Sequence, residues 1–230
     1  MNNIKFFRVG GFVRDQILGI KAKDIDYAVE APSYEAMRDY IAAHGKIWQE
    51  RPQFFTIRAQ LNGENCDYVL CRKEGFYSDG RRPDSVEPGT IFDDLARRDF
   101  TCNAIALDED GSYIDPHNGI SDLKNSTLRC VGNAEDRFNE DSLRLLRAMR
   151  FSITKLLKLD PSIVACLDSY KIVNELDNIS IERVRDELYR CFMFHTGLSF
   201  HFLRDFPVLE EKIFSFTNLK FVPTIQPKDI

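Results

Sequence analysis

Short β-type runs alternate with helical stretches over the first 130 residues, and the remainder reads almost wholly at helical spacing. Lys5–Val9 predicts a strand, Gly10-Gly11 a turn and residues 12–18 a helix. Polar and apolar positions alternate over residues 24–29, as on a strand with one buried face. Ser33 is placed to cap a helix running to about His44, with Gly45 just beyond it. Residues 54–61 and 65–70 predict strands joined by a turn at Asn62-Gly63. Residues 103–107 and 112–114 flank a second hairpin signal, Asp110-Gly111. Between these hairpins, residues 72–88 are rich in charge, glycine and proline and predict a long mobile loop.

The division falls near residue 130. Beyond it, residues 138–151 predict one helix with Leu143, Leu146 and Met149 on a common face. Asp160-Pro161 opens a second helix that extends to about Tyr170, because proline suits the first helical position. Ser180 is placed to cap a third, residues 181–194, closed near Gly197. The tail, residues 214–230, holds two prolines and little helical pattern.

Composition narrows the function classes. Apolar residues make up 43% of the 230 and charged residues 29%, which suits a folded domain with a sizeable core. The 31 basic and 36 acidic residues leave a net charge of −5, which excludes a binder that recruits nucleic acid by a global cationic surface. A run of 18 apolar residues is absent, so no membrane span is predicted, and the first residues lack an apolar run of signal-peptide length. We therefore expect a cytoplasmic protein. Six cysteines without C-x-x-C spacing predict reduced, buried thiols, and the four histidines show no metal-ligand spacing.

Candidate chemistry begins at Asp24-Ile25-Asp26. On a strand, residues two apart project from the same face, so both carboxylates would aim at one point. Paired hard oxygen donors suit Mg²⁺, which keeps its other positions for water and substrate phosphate. By itself the pair is more often the mark of a solvated strand edge. Gly10-Gly11 upstream lies at a strand-to-helix junction, where backbone N–H groups are free and glycine lets a phosphate approach. Arg14 can add a cation there, or can simply pair with Asp15.

The segment from Gly10 to Asp26, GGFVRDQILGIKAKDID, resembles the class II tRNA nucleotidyltransferase and bacterial poly(A) polymerase family. The likeness continues through DGRRPDSV at 79–86, RRDFTCNA at 97–104, Asp115-Pro116 with Gly119 and Asp122-Leu123, and EDSLRLLRAMRF at 140–151. It implies an α/β, polymerase-beta-like nucleotidyltransferase head with a mixed sheet over 1–130, followed over 131–230 by an α-helical neck with a truncated body. It also implies metal-dependent attack of an RNA 3′-hydroxyl on a nucleotide α-phosphate, with release of pyrophosphate. By the same likeness, Asp24 and Asp26 match the metal ligands and Asp67 a further catalytic carboxylate, with Mg²⁺ the expected cofactor. Gly11, Arg14, Arg98, Arg147 and Arg150 match positions that hold the nucleotide or its phosphates, and Asp99 matches a ribose contact.

Arg144, Arg147 and Arg150 share a helix face, an arrangement that a polyanionic ligand would explain and a solvated cationic face would also produce. Asp141 and Arg144, three apart, are expected to read the base edge together, admitting C and A while rejecting U and G. Asn103, Asp115-Pro116 and Gly119 read as structural. Residues 180–188, SIERVRDEL, resemble the element that marks the CCA-adding branch, although Glu182, Arg183, Arg185 and Glu187 also suit a salt-bridged helix surface.

The expected partners are therefore the tRNA 3′ end, CTP and ATP, with no membrane. Relatives place a helix before the first strand, which here begins near residue 4, and continue further beyond the neck. We expect weak tRNA binding by a monomer, or assembly into a homo-oligomer. The contrasting class, a nucleotide- or RNA-binding module without catalysis, sits poorly with intact Asp24, Asp26, Arg98 and Arg144.

Overall fold

The computed structural model describes residues 4–22, 24–74 and 86–215. In chain order the first half runs β1 (Lys5–Val9), α1 (Gly11–Ile17), β2 (Asp26–Glu30), α2 (Tyr34–His44), β3 (Gly45–Arg51), β4 (Thr56–Leu61), β5 (Glu64–Leu70), β6 (Arg72–Glu74), β7 (Val86–Pro88), α3 (Ile91–Ala96), β8 (Ala106–Leu107), β9 (Tyr113–Ile114), α4 (Gly119–Lys124) and β10 (Thr127–Leu128). The second half runs α5 (Ala134–Glu140), α6 (Leu143–Lys155), β11 (Lys158–Leu159), α7 (Pro161–Leu167), α8 (Tyr170–Asn174), α9 (Ile181–Asp205) and α10 (Pro207–Ser215).

A seven-stranded sheet in the order β3-β4-β5-β2-β1-β8-β9 forms the frame. It is mixed, because β2 and β5 run parallel while the other neighbours are antiparallel. Successive residues of a strand face opposite ways. Val29 thus packs with Met37 and Ile41 of α2, whereas Ala28 packs with Ile91 and Leu95 of α3. Asp26 shares the α3 side with Ala28, and its ladder partner Asp67 stands on the same side.

The helical half and the end of the α/β half share one core, in which Phe100, Cys102 and Leu128 pack with Phe138, Leu146, Met149 and Leu203. A short parallel pair, β10 with β11, ties the two halves together. Gly119 allows the close approach of α4 to residue 101, since a Cβ there would lie 2.1 Å from the Thr101 carbonyl oxygen. Asp115 accepts from the Gly119 and Ile120 N–H groups at 2.7 and 2.9 Å, so this turn is structural.

Several elements differ from expectation. Residues 45–51 form an edge strand, although their exposed, weakly alternating sequence gave no strand signal. The ends of the predicted mobile loop pair as β6 and β7, while its interior, including most of DGRRPDSV, lies outside the described residues. The predicted helix over 138–151 is two helices, broken at Asp141-Ser142, where Asp141 adopts an extended conformation (φ −153°). The second predicted helix ends at Leu167 and α8 starts afresh at Tyr170. Ser180 stands at the N-cap of α9 but accepts no capping hydrogen bond, and α9 continues past a kink at His195 to Asp205. Part of the tail, residues 207–215, is helical, and the remainder of it lies outside the described residues. The six cysteines are free and buried.

Candidate active site

Asp26 opens β2, and Asp24 precedes the strand instead of lying on it, so the same-face argument does not hold for this pair. The residue that shares the face of Asp26 is Asp67, directly opposite on the parallel neighbour β5. Burial and then the adjacent Asp67 raise the Asp26 carboxyl above its ordinary pKa; Arg98 pulls the other way, and Asp24 and Arg58 add lesser, opposed contributions. Among the described residues Asp67 has one long ion pair, 3.7 Å to Arg58.

This donor set fits a hard divalent cation: carboxylate oxygens are brought together, and Asp26 carries a penalty that a cation would relieve. Among the described residues no three His, Cys, Asp or Glu side chains are grouped so as to hold a metal ion. An open site of one or two carboxylates completed by phosphate and water is the arrangement Mg²⁺ tolerates best.

The N-terminus of α1 lies beside these carboxylates, since Val9 is the ladder partner of Asp26. Gly10 has φ +67°, and a Cβ on it would come within 3.1 Å of the Arg98 guanidinium. Gly11 is the first residue of α1. Arg98 is held by Asp94 (3.1 and 2.8 Å) and by the Asn103 carbonyl (3.1 Å). Asp94 is itself buried and also holds Arg97, the two arginines lying three and four residues on along the chain. That spacing, D-x-x-R-R, was visible in the sequence and is the signal that marks Asp94 as the residue fixing Arg98.

Arg14 is buried and committed to the fold. It donates to Asp15 at 2.8 Å and to the Asn103 side chain at 2.7 Å, and lies 5.1 Å from the Phe151 ring centroid. Pairing with Asp15 is thus the alternative realised. Asn103 links the site, accepting from Arg14 and donating to Asp99 at 3.0 Å, so its structural reading holds.

The arginines of α6 meet acidic partners from elsewhere in the chain. Arg144 donates to Glu140 at 2.7 Å and to the Arg137 carbonyl at 2.9 Å. Arg147 donates to Asp99 at 2.8 and 2.5 Å, and Arg150 to Glu187 at 2.5 Å. Their gathering on one face therefore needs no polyanion to explain it. Asp99 also accepts from the Phe100 N–H at 2.8 Å. Burial pushes its carboxyl pKa up, but the Arg147 charge and the hydrogen bonds from Asn103, Arg147 and Phe100 outweigh this and hold it below the ordinary value. Glu187, read as a possible surface residue, is buried against these arginines. Asp141 and Arg144 do not lie on one helix. Asp141 caps the Leu143 N–H at 3.1 Å and accepts from Arg183 at 2.8 Å.

A mixed sheet with paired carboxylates, joined to a helical arm carrying arginines, defines a polymerase-beta-like nucleotidyltransferase head. Residues 6–129 match the poly A polymerase head domain, and the chain belongs to that family. It is 34% identical to the CCA-adding enzyme of Lactobacillus johnsonii over 95% of this chain and 56% of that protein. It is 38% identical to the CCA-adding enzyme of Leuconostoc citreum over 80% of this chain and 45% of that one. Among solved structures it resembles the Bacillus stearothermophilus CCA-adding enzyme in complex with CTP, with TM-score 0.75 and 30% identity over 91% of this chain and 48% of that one. It likewise resembles the Thermotoga maritima CCA-adding enzyme complexed with tRNA-CCA, with TM-score 0.74 and 28% identity over 96% and 50%. The chain thus spans about half the length of the curated relatives it matches. Among the described residues no helix is long and apolar enough to cross a membrane.

Proposed function

We propose that the chain is a template-independent RNA nucleotidyltransferase that adds C and A to the 3′ end of tRNA from CTP and ATP, working in the cytoplasm. The observation that carries this reading is the Asp26–Asp67 ladder pair, with Asp24 beside it and Gly10 and Arg98 on its β1 flank. Asp24 and Asp26 would hold Mg²⁺, and the ion would supply charge stabilisation at the reacting phosphate. Asp67 accepts the proton of the acceptor 3′-hydroxyl as its oxygen attacks the α-phosphorus. The bond from that phosphorus to the bridging oxygen breaks, and pyrophosphate leaves.

Arg98, fixed by Asp94, is the phosphate contact on this side, with Gly11 giving close backbone approach and Arg14 shaping the pocket from behind. Asp141 and Arg144 select the base: a carboxylate accepts the exocyclic N–H of cytosine or adenine and faces a carbonyl in uracil or guanine. To do so Asp141 exchanges Arg183, and Arg144 exchanges Glu140, for the base edge. Asp99 distinguishes ribose from deoxyribose by sharing its carboxylate with a 2′-hydroxyl. Arg147 and Arg150 hold Asp99 and Glu187 in place beside the nucleotide.

The test is transfer of labelled CTP and ATP to a tRNA that lacks its terminal CCA, with product length resolved to one nucleotide. We expect two additions with CTP alone and three with both nucleotides. A ladder of A residues from ATP alone would make the activity poly(A) addition, and no extension in the presence of Mg²⁺ would overturn the reading. Light scattering on the same sample reports whether a homo-oligomer forms.

A further inference from the structure

The active face of the sheet carries a second, cationic stretch that the transfer chemistry leaves unused. In the ladders Gln49 stands opposite Arg58, Arg58 opposite Asp67, and Asp67 opposite Asp26. Directly opposed residues share a face, so these four form a row across β3, β4, β5 and β2. Arg51, two residues from Gln49 and opposite Thr56, projects from the same face. Arg51 and Arg58 line one cleft with Asp67, of about 60 Å³.

Both guanidiniums are largely uncommitted. The Arg58 side chain is 58% exposed, and its 3.7 Å pair with Asp67 is its ion pair among the described residues. Arg51 gives the neutral Gln49 amide one hydrogen bond of 3.3 Å. Each guanidinium has five N–H donors, so most face solvent. An exposed pair of this kind stabilises the fold little, which leaves two cations beside a catalytic carboxylate without a structural purpose.

Their position supplies the ligand class. In-line displacement sets the attacking oxygen and the departing pyrophosphate on opposite sides of the α-phosphorus. Gly10 and Arg98 flank the carboxylates on the β1 side, while Arg58 and Arg51 flank them on the β4 and β3 side. With strands 4.7–4.9 Å apart, Arg58 starts about 10 Å from Asp26, within the reach of one nucleotide step. We propose that Arg58 and Arg51 form the subsite for the acceptor RNA, clasping the phosphodiester next to the attacking 3′-hydroxyl so that the strand enters over β3 and β4. The inference rests on the nucleotidyl-transfer reading above.

The test uses the full chain and a fluorescein-labelled RNA hairpin with a single-stranded 3′ end stopping before CCA. Binding is followed by anisotropy across a salt series, and acceptor and CTP KM are measured in the transfer assay. For Arg58→Gln and Arg51→Gln we expect the acceptor Kd and KM to rise about tenfold at low salt. We also expect the slope of log K against log salt to flatten by about 0.7 per arginine removed, as for a lost single-strand phosphate contact. CTP KM should stay within about twofold, and Arg58→Lys should restore the slope. Equal Kd and equal slope in both variants, or a rise in CTP KM alone, would overturn the subsite. Wild-type chain that binds the hairpin and transfers nothing would overturn the function itself, and the slopes would still decide the subsite.

Discussion

Two charged regions lie close together and are built on opposite rules. On the sheet, Asp26 and Asp67 stand directly opposite each other with Asp24 just before the strand, and among the described residues only Asp67 of the three has an ion pair, a long one. On the α6–α9 face, Arg144, Arg147, Arg150 and Arg183 each meet a carboxylate at 2.5–2.8 Å. The first region carries unrelieved repulsion and calls for a cation. The second is neutralised from within, and its members reach a nucleotide by exchanging partners. A charge cluster left unpaired marks where chemistry enters, whereas a paired one serves mainly to hold parts in register.

The largest effect expected from breaking this contrast is on the sheet. Asp24→Ala and Asp26→Ala should each lower the transfer rate at least a thousandfold, about 4 kcal/mol in barrier, while urea denaturation shows a fold no less stable than wild type. Near-normal transfer by either variant would remove the metal assignment.

On the neutralised face the effect should be on stability. Asp99→Ala leaves Arg147 without its main partner and Asn103 without an acceptor, and should cost about 2–3 kcal/mol in urea denaturation, allowing for the partial exposure of Arg147. The same variant should bring the rates on ATP and dATP closer together; an unchanged ratio would exclude the ribose contact.

Acid should separate the regions too. Asp94 and Asp99 have folded pKa values below the ordinary carboxylate value. Their stabilisation is therefore full above the unfolded pKa and is lost as pH falls through the folded one. Asp26, raised in the folded state, contributes in the opposite sense. Melting followed from pH 7 to pH 2 should show the wild type losing stability at the acid end, and Asp99→Ala losing less of it. A parallel loss in both would remove Asp99 from the acid response.

The smallest effect concerns base choice. Asp141→Ala should raise UTP or GTP incorporation relative to CTP and ATP about five- to tenfold, the low end of what a buried unpaired acceptor costs. Arg144→Ala should lower transfer with all four nucleotides. Selectivity unchanged in Asp141→Ala would take Asp141 out of base reading.

Most of the sheet was legible because β1, β2, β4 and β5 have bounded apolar runs with turn residues between them. β3 escaped because an edge strand of sequence GKIWQER buries too little to leave a period. The carboxylates were legible as residues, but their geometry was not. A strand starting two residues late moves Asp24 off the face and leaves Asp67 as the partner of Asp26. The break at Asp141 escaped because the apolar face resumes across it in phase, with buried Phe138 and Leu145 seven residues, about two turns, apart. The pairs of Arg147 with Asp99 and Arg150 with Glu187 join residues 48 and 37 apart, distances at which local spacing carries no signal.

Thermal melting of wild type and Asp26→Asn at pH 7, without metal and then with Mg²⁺ and CTP, tests the central claim most directly. A raised folded pKa means that ionised Asp26 destabilises the fold at neutral pH, so Asp26→Asn should melt higher than wild type in the absence of metal. With Mg²⁺ and CTP the wild type should gain more and close or reverse the gap. An Asp26→Asn variant that melts below wild type without metal, or equal gains in the two proteins with it, would contradict the account.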